Sequence, residues 1–122
     1  MPESRKSVRI NESFRVAYQV VKSFRMVSSQ SRDISVDGIC FPVLQHLEPK
    51  MILDLEIYLE GSSKPIKAVG EVVWIKEIKD LKFLYLCGIK FIKINPEGAN
   101  QLKTYINVRA SEQIKLLDEK QR

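Results

Sequence analysis

From Phe14 onward, apolar and polar residues alternate: Phe14, Val16, Tyr18 and Val20 fall on one side, Arg15 and Gln19 on the other. Period-two alternation marks a strand with one buried face and predicts a first strand here. A second candidate runs from about Phe24 to Ser31. A third restarts at Gly38-Ile39-Cys40-Phe41 and is predicted to stop at Pro42, because proline cannot donate to a ladder. The segment MILDLEIYLE is clearer, with Met51, Leu53, Leu55, Ile57 and Leu59 on one face and Asp54, Glu56 and Glu60 on the other; Gly61-Ser62-Ser63 then supplies a turn. Residues 66–77 (IKAVGEVVWIKE) and 84–94 (LYLCGIKFIKI) read as two long strands around a polar turn at Lys79-Asp80-Leu81-Lys82. Gly70 and Gly88 interrupt them where a bend or bulge is expected.

Short strands joined by polar turns, with no helix between them, predict a mainly β antiparallel sandwich or small barrel, and the internal glycines favour the barrel. The end of the chain changes period. Asn95-Pro96 has the form of a helix cap with proline at the first helical position. Ala99, Leu102, Ile106, Ala110, Ile114 and Leu117 then recur every three or four residues, tracing one stripe of a C-terminal α-helix. At ~24 residues such a helix would reach ~36 Å, more than is needed to lid a small barrel, so its far half either pairs with another subunit as a homo-oligomer or frays. The expected organisation is an unpatterned flexible arm over residues 1–12, a β-barrel over 13–95 and an amphipathic helix over 96–122.

A chain of 122 residues that is 44% hydrophobic and 29% charged is long enough to close one core without metals or disulfides. No apolar run approaches the ~20 residues of a membrane span, and MPESRKSVRINE lacks the apolar stretch of a signal peptide, which points to the cytoplasm. Cys40 and Cys87 lie far apart in apolar, strand-like surroundings and are expected as buried thiols. His46 is the only histidine and has no ligand-like spacing around it, so a histidine-based metal site is not expected; no cofactor is expected either.

Charge is placed unevenly. Residues 1–25 hold six basic groups against Glu3 and Glu12, so four of the five net positive charges sit in this segment. A local anionic partner is implied. Enzyme chemistry finds no support. A Ser-His-Asp arrangement would have to recruit His46 from an ordinary loop, Asp54 and Glu56 belong to a solvent face, and no glycine-rich loop precedes a helix. The chain is therefore read as a binding protein rather than an enzyme.

Two short motifs carry that reading. Arg5 and Arg9 are four residues apart in RKSVR; each planar fork can donate two parallel bonds to a phosphate or to the O6 and N7 acceptors of guanine. Alone, they would equally be a solvated basic tail. The stretch SRDISVDGIC contains Asp33, Ser35 and Gly38, which a simple turn would use for local hydrogen bonds and for positive φ. In combination, RxxxR, then DxSxxG, then GEVVW and GIKF in two later strands, the chain resembles the PilZ domain family from the arm to the first half of the final helix. That resemblance implies a small antiparallel β-barrel serving as a cyclic di-GMP receptor. By resemblance, Arg5 and Arg9 would grip phosphates and the Hoogsteen edge of guanine. Asp33 would accept from guanine N–H groups, Ser35 would bond phosphate or backbone, and Gly38 would permit the tight turn. Trp74 matches a position where some relatives set a residue against the ligand.

Ser4 stands where many of the family carry a basic residue before the first motif arginine. Its presence tilts the stoichiometry towards one ligand per domain, although the neighbouring Lys6 could compensate. The resemblance further implies an arm that is disordered when empty and pinned when occupied, signalling to an unidentified protein partner. The alternative is a nucleotide-independent PilZ-like interaction scaffold, which intact motifs disfavour. General nucleic-acid binding is disfavoured as well, because no aromatic stacking platform is interleaved with the basic segment.

Overall fold

The computed structural model describes residues 8–23, 25–79 and 82–120, the last six of these as backbone. Seven strands precede one helix: β1 (Arg15–Val20), β2 (Val27–Gln30), β3 (Asp33–Ile34), β4 (Gly38–Val43), β5 (Ile52–Ile57), β6 (Ile66–Glu77), β7 (Tyr85–Ile94) and α1 (Pro96–Lys120). They form one antiparallel sheet in the order β2-β1-β5-β6-β7-β4-β3, curled into a half-barrel. The predicted strand over 66–77 is present with those limits. The ladder between β6 and β7 slips twice, opposite Gly70 where Ile92 of β7 is the extra residue and opposite the Gly88–Ile89 step where Val73 of β6 is, so an irregularity falls beside each of the two internal glycines.

The two end strands of the sheet are consecutive in the chain, which crosses the seam at Ser31-Arg32. The Ser31 amide still donates to the Phe14 carbonyl at 2.9 Å, whereas the next amide, of Arg32, donates to Cys40 at 2.8 Å. Ser29 Oγ closes the seam further by donating to the Pro42 carbonyl. This explains why β4 runs through Pro42, where the sequence predicted a stop. In an antiparallel strand a residue's N–H and C=O point to the same side, and the Pro42 carbonyl points away from β7. The missing N–H therefore costs no ladder bond.

The core joins strand and helix side chains. Ile10, Val16, Tyr18, Ile34, Ile39 and Phe41 are fully inaccessible, and Leu102 and Ile106, one helical turn apart, close the barrel end at 1% exposure each. Burying each such side chain contributes ~1.5–3 kcal/mol. Asn95 caps α1 as predicted, its Oδ1 accepting from the Gly98 amide at 2.6 Å. The predicted stripe holds through Ala110 and then leaves the barrel, with Ile114 63% exposed. Among the described residues no helix is long and apolar enough to cross a membrane.

The arm differs from expectation in its last residues. Ile10 exchanges both backbone hydrogen bonds with Ile34 and sits in the core, and Ser31 Oγ donates to the Glu12 carbonyl. From Ile10 onward the segment predicted as a flexible arm is bound to the barrel wall.

Cys40 and Cys87 are free, buried thiols. Burial pushes Cys87 up to about 12 and Cys40 to about 11, and it pushes the Tyr18 phenol up to about 12. A folded-state pKa above the unfolded value means stability that is whole below the unfolded pKa and is lost as pH rises towards the folded one. Urea unfolding midpoints are therefore expected to be level through neutral pH. Above pH ~9 they should fall, each thiol removing ~1.4 kcal/mol per pH unit until its folded pKa is reached. Cys87→Ala should flatten that fall.

Candidate functional site

Four strands set the motif residues in one row. Asp33 on β3 pairs with Cys40 on β4, Cys40 with Gly88 on β7, and Gly88 with Trp74 on β6. Cross-strand partners share a face, and the adjacent row (Ile34, Ile39, Ile89) is buried in the core, so this row lies on the outer face. At ~4.8 Å per strand, the backbones of Asp33 and Trp74 stand ~14 Å apart. Between them Cys40, 5% exposed, and Gly88 make a floor with little side-chain bulk. The Trp74 indole lies across Gly88 in the space a Cβ would fill, while Trp74 itself stays 42% exposed. The result is a shallow shelf with a carboxylate at one end and an aromatic wall at the other.

At the Asp33 end the two motif halves meet, although 24 residues separate them. Arg9 Nε donates to Asp33 Oδ1 at 2.6 Å, and Arg9 Nη1 donates to Ser35 Oγ at 3.1 Å. The side chains of Arg9 and Asp33 are 21% and 27% exposed, whereas Ser35 is buried. Ser35 Oγ also accepts from the Asp37 amide at 3.1 Å, and the Ser35 amide donates to the Gly38 carbonyl at 2.9 Å. Ser35 thus ties the turn together and receives the arginine. Asp37 docks the turn on β7 by accepting from the Phe91 amide at 2.8 Å.

Gly38 is required for a different reason from the one its place in a turn suggests. Its φ is not positive; among the described residues positive φ occurs at Lys22, Lys50 and Gly61. A Cβ at Gly38 would instead run into the backbone carbonyl of Ile89 on β7. Arg5, Lys6 and Ser4 lie outside the described residues.

The sequence pattern did not single out Ile10, Cys40 as floor, or Ser31, whose hydroxyl also accepts from the Phe14 amide at 3.1 Å. For Ile10 a signal exists: the alternation through Val16 and Phe14 extends back to Ile10 and is hidden by Glu12 at the intervening position. The motif shelf is not the largest concavity. A groove of about 830 Å³ lies between α1 and the 59–63 turn. Among the described residues, the conjunction of carboxylate, guanidinium and indole occurs on the shelf and not in that groove. Among the described residues no group of three or more His, Cys, Asp or Glu is placed to hold a metal ion.

Similarity to known proteins follows the same lines. No curated protein matches the chain by sequence. The fold is similar to the Bacillus subtilis inhibitor of motility MotI/DgrA, with TM-score 0.77 and 18% identity over 90% of this chain; the chain spans only 53% of that protein. It is also similar to the PilZ domain of Escherichia coli YcgR with cyclic di-GMP, with TM-score 0.71 and 16% identity, covering 95% of this chain and 98% of that one. A self-assembled tetrameric PilZ protein of Xanthomonas campestris gives TM-score 0.54 and 12% identity, covering 77% of this chain and 51% of that one. At these identities the likeness is one of fold. The sequence model of the PilZ domain matches residues 3–107, a span that takes in both motifs, the half-barrel and the helical turns that lid it, and the chain accordingly belongs to the PilZ domain family.

Proposed function

We propose that this domain is a cyclic di-GMP receptor. The observation that carries the reading is the junction of Arg9 with Asp33 and Ser35 at the edge of an outer-face shelf walled by Trp74. Guanine offers O6 and N7 as acceptors and N1–H and N2–H₂ as donors, so it asks for a guanidinium and a carboxylate side by side. Two of the five N–H donors of Arg9 serve Asp33 and Ser35; the ligand's guanine edge or phosphate takes others. Asp33 accepts from the guanine N–H groups. Trp74 stacks on a base, a contact worth ~1–3 kcal/mol. Arg5 and Lys6 complete the clamp from the arm, and Ser35 and Gly38 hold the turn in shape. On binding, the part of the arm before Arg9 folds onto the shelf, and the changed surface is read by a protein partner.

Calorimetric titration with cyclic di-GMP tests the reading. Saturable heat at one ligand per domain is expected, and Asp33→Asn should weaken binding ~10- to 100-fold, the worth of one bidentate guanine contact. An absence of heat and of any amide shift at high ligand concentration would falsify it.

A further inference from the structure

Arg9 and Glu12 lie three residues apart, and each is engaged by a different part of the domain. Arg9 is bound to the motif turn. Glu12 is bound to the helix: Tyr105 Oη donates to Glu12 Oε2 at 2.9 Å, and Arg109 Nε lies 3.5 Å from Glu12 Oε1. Arg109 in turn sits 4.9 Å from the centroid of the Tyr105 ring, donates to Glu60 Oε1 at 2.7 Å and lies 3.8 Å from Glu112. Between the two engaged residues, Ile10 is bridged to Ile34 and buried.

The cluster is graded in exposure. Glu12 and Arg109 are 26% and 29% exposed, whereas Glu60 and Glu112 are 76% and 58% exposed. The inner pair is screened least by solvent, and the outer carboxylates hold the guanidinium over the tyrosine ring. Burial, followed by the hydrogen bond to Glu12, raises the pKa of the Tyr105 phenol. Leu102 and Ile106 seat the helix by burial, and the polar cluster adds a second attachment beside them.

We infer that Glu12, Tyr105 and Arg109 are a latch that positions the root of the ligand-binding arm and makes α1 the element that responds to occupancy. This rests on the receptor reading above. An arm rooted at Glu12 has less freedom to lose when Arg9 and the residues before it engage a ligand, so the closed latch raises affinity. Linkage makes the effect mutual: ligand that favours the rooted arm favours the closed latch by the same factor and quiets the helix that forms its other half.

Amide exchange on the full chain tests the latch in two arms. Without ligand, Arg109→Ala and Tyr105→Phe should speed exchange at Ile10 and Ile34 about tenfold while β5 amides such as that of Leu55 keep their protection. Wild-type rates at Ile10 and Ile34 in both variants overturn the latch, whether or not cyclic di-GMP binds. With cyclic di-GMP, amides of residues 96–110 should slow in the wild type. Arg109→Ala should lose that response and ~5- to 20-fold in affinity, and Arg109→Lys should recover part of both. Ligand heat with unchanged exchange in α1 overturns the coupling. Absent heat overturns the receptor reading, and the ligand-free comparison then decides the latch by itself.

Discussion

Arg9→Ala is expected to lower the affinity for cyclic di-GMP at least ~100-fold while leaving the protein folded. The binding term is large because one residue serves both halves of the site. It offers a fork to the guanine edge or phosphate, and a bidentate contact of that kind is worth ~1–3 kcal/mol. It also positions Asp33 and Ser35 through bonds of 2.6 and 3.1 Å, so its removal loosens the acceptor on which the guanine N–H groups depend. The stability term is small. Both charged side chains are partly exposed, and truncating the arginine lets water reach the Asp33 carboxylate, so the cost should stay near ~1 kcal/mol. Arg9→Lys separates charge from geometry. It keeps the cation but not the fork, and should bind within ~10-fold of the alanine variant if planar recognition dominates. Calorimetry paired with a thermal melt reads both terms. Wild-type affinity in Arg9→Ala would remove the shelf as the site.

What could be read in advance divides according to whether the cause is local. The limits of β6, the inward face of β5 and the cap of α1 follow from side-chain period and capping chemistry, and each was legible in the sequence. At Pro42 a local rule, that proline ends strands, yields to a tertiary fact: its carbonyl faces the seam rather than β7. Ile10 falls in the segment expected to be an arm because a charged residue, Glu12, breaks the alternation that would tie it to β1. Glu12 itself is satisfied by Tyr105, 93 residues away, which no window of sequence displays. The meeting of Arg9 and Asp33 is of the same kind. Spacing alone gives two ordinary motifs, and only the resemblance to a family joins them. At Gly38 the residue was recognised and its reason was not. A glycine after Asp and Ser suggests a left-handed turn, whereas the actual constraint is contact with a strand that starts 47 residues later.

That contact makes Gly38→Ala the substitution with the largest expected effect on the fold. Gly38 pairs with Lys90, and the added methyl would meet the Ile89 carbonyl, a backbone group fixed within the β4–β7 ladder that cannot swing aside as a side chain would. Relief requires β4 to move off β7. The neighbouring bond from the Phe91 amide to the Asp37 carbonyl stretches with it, as does the Ser35 amide bond to Gly38. Overpacking of this kind costs ~1–3 kcal/mol and a weakened hydrogen bond ~1 kcal/mol more, so a loss of ~2–4 kcal/mol in urea unfolding is expected. The displaced turn carries Ser35 and Asp33 away from Arg9, and affinity for cyclic di-GMP should fall more than ~10-fold even where the variant is fully folded. Gly61→Ala is the control. Gly61 has φ of 84° with no atom near the position of a Cβ, so alanine there meets only the ~1 kcal/mol cost of the left-handed region and should leave ligand affinity unchanged. If Gly38→Ala costs no more than Gly61→Ala and binds as the wild type does, the close approach of β4 to β7 does not shape the site, and the turn holds Asp33 by its own hydrogen bonds alone.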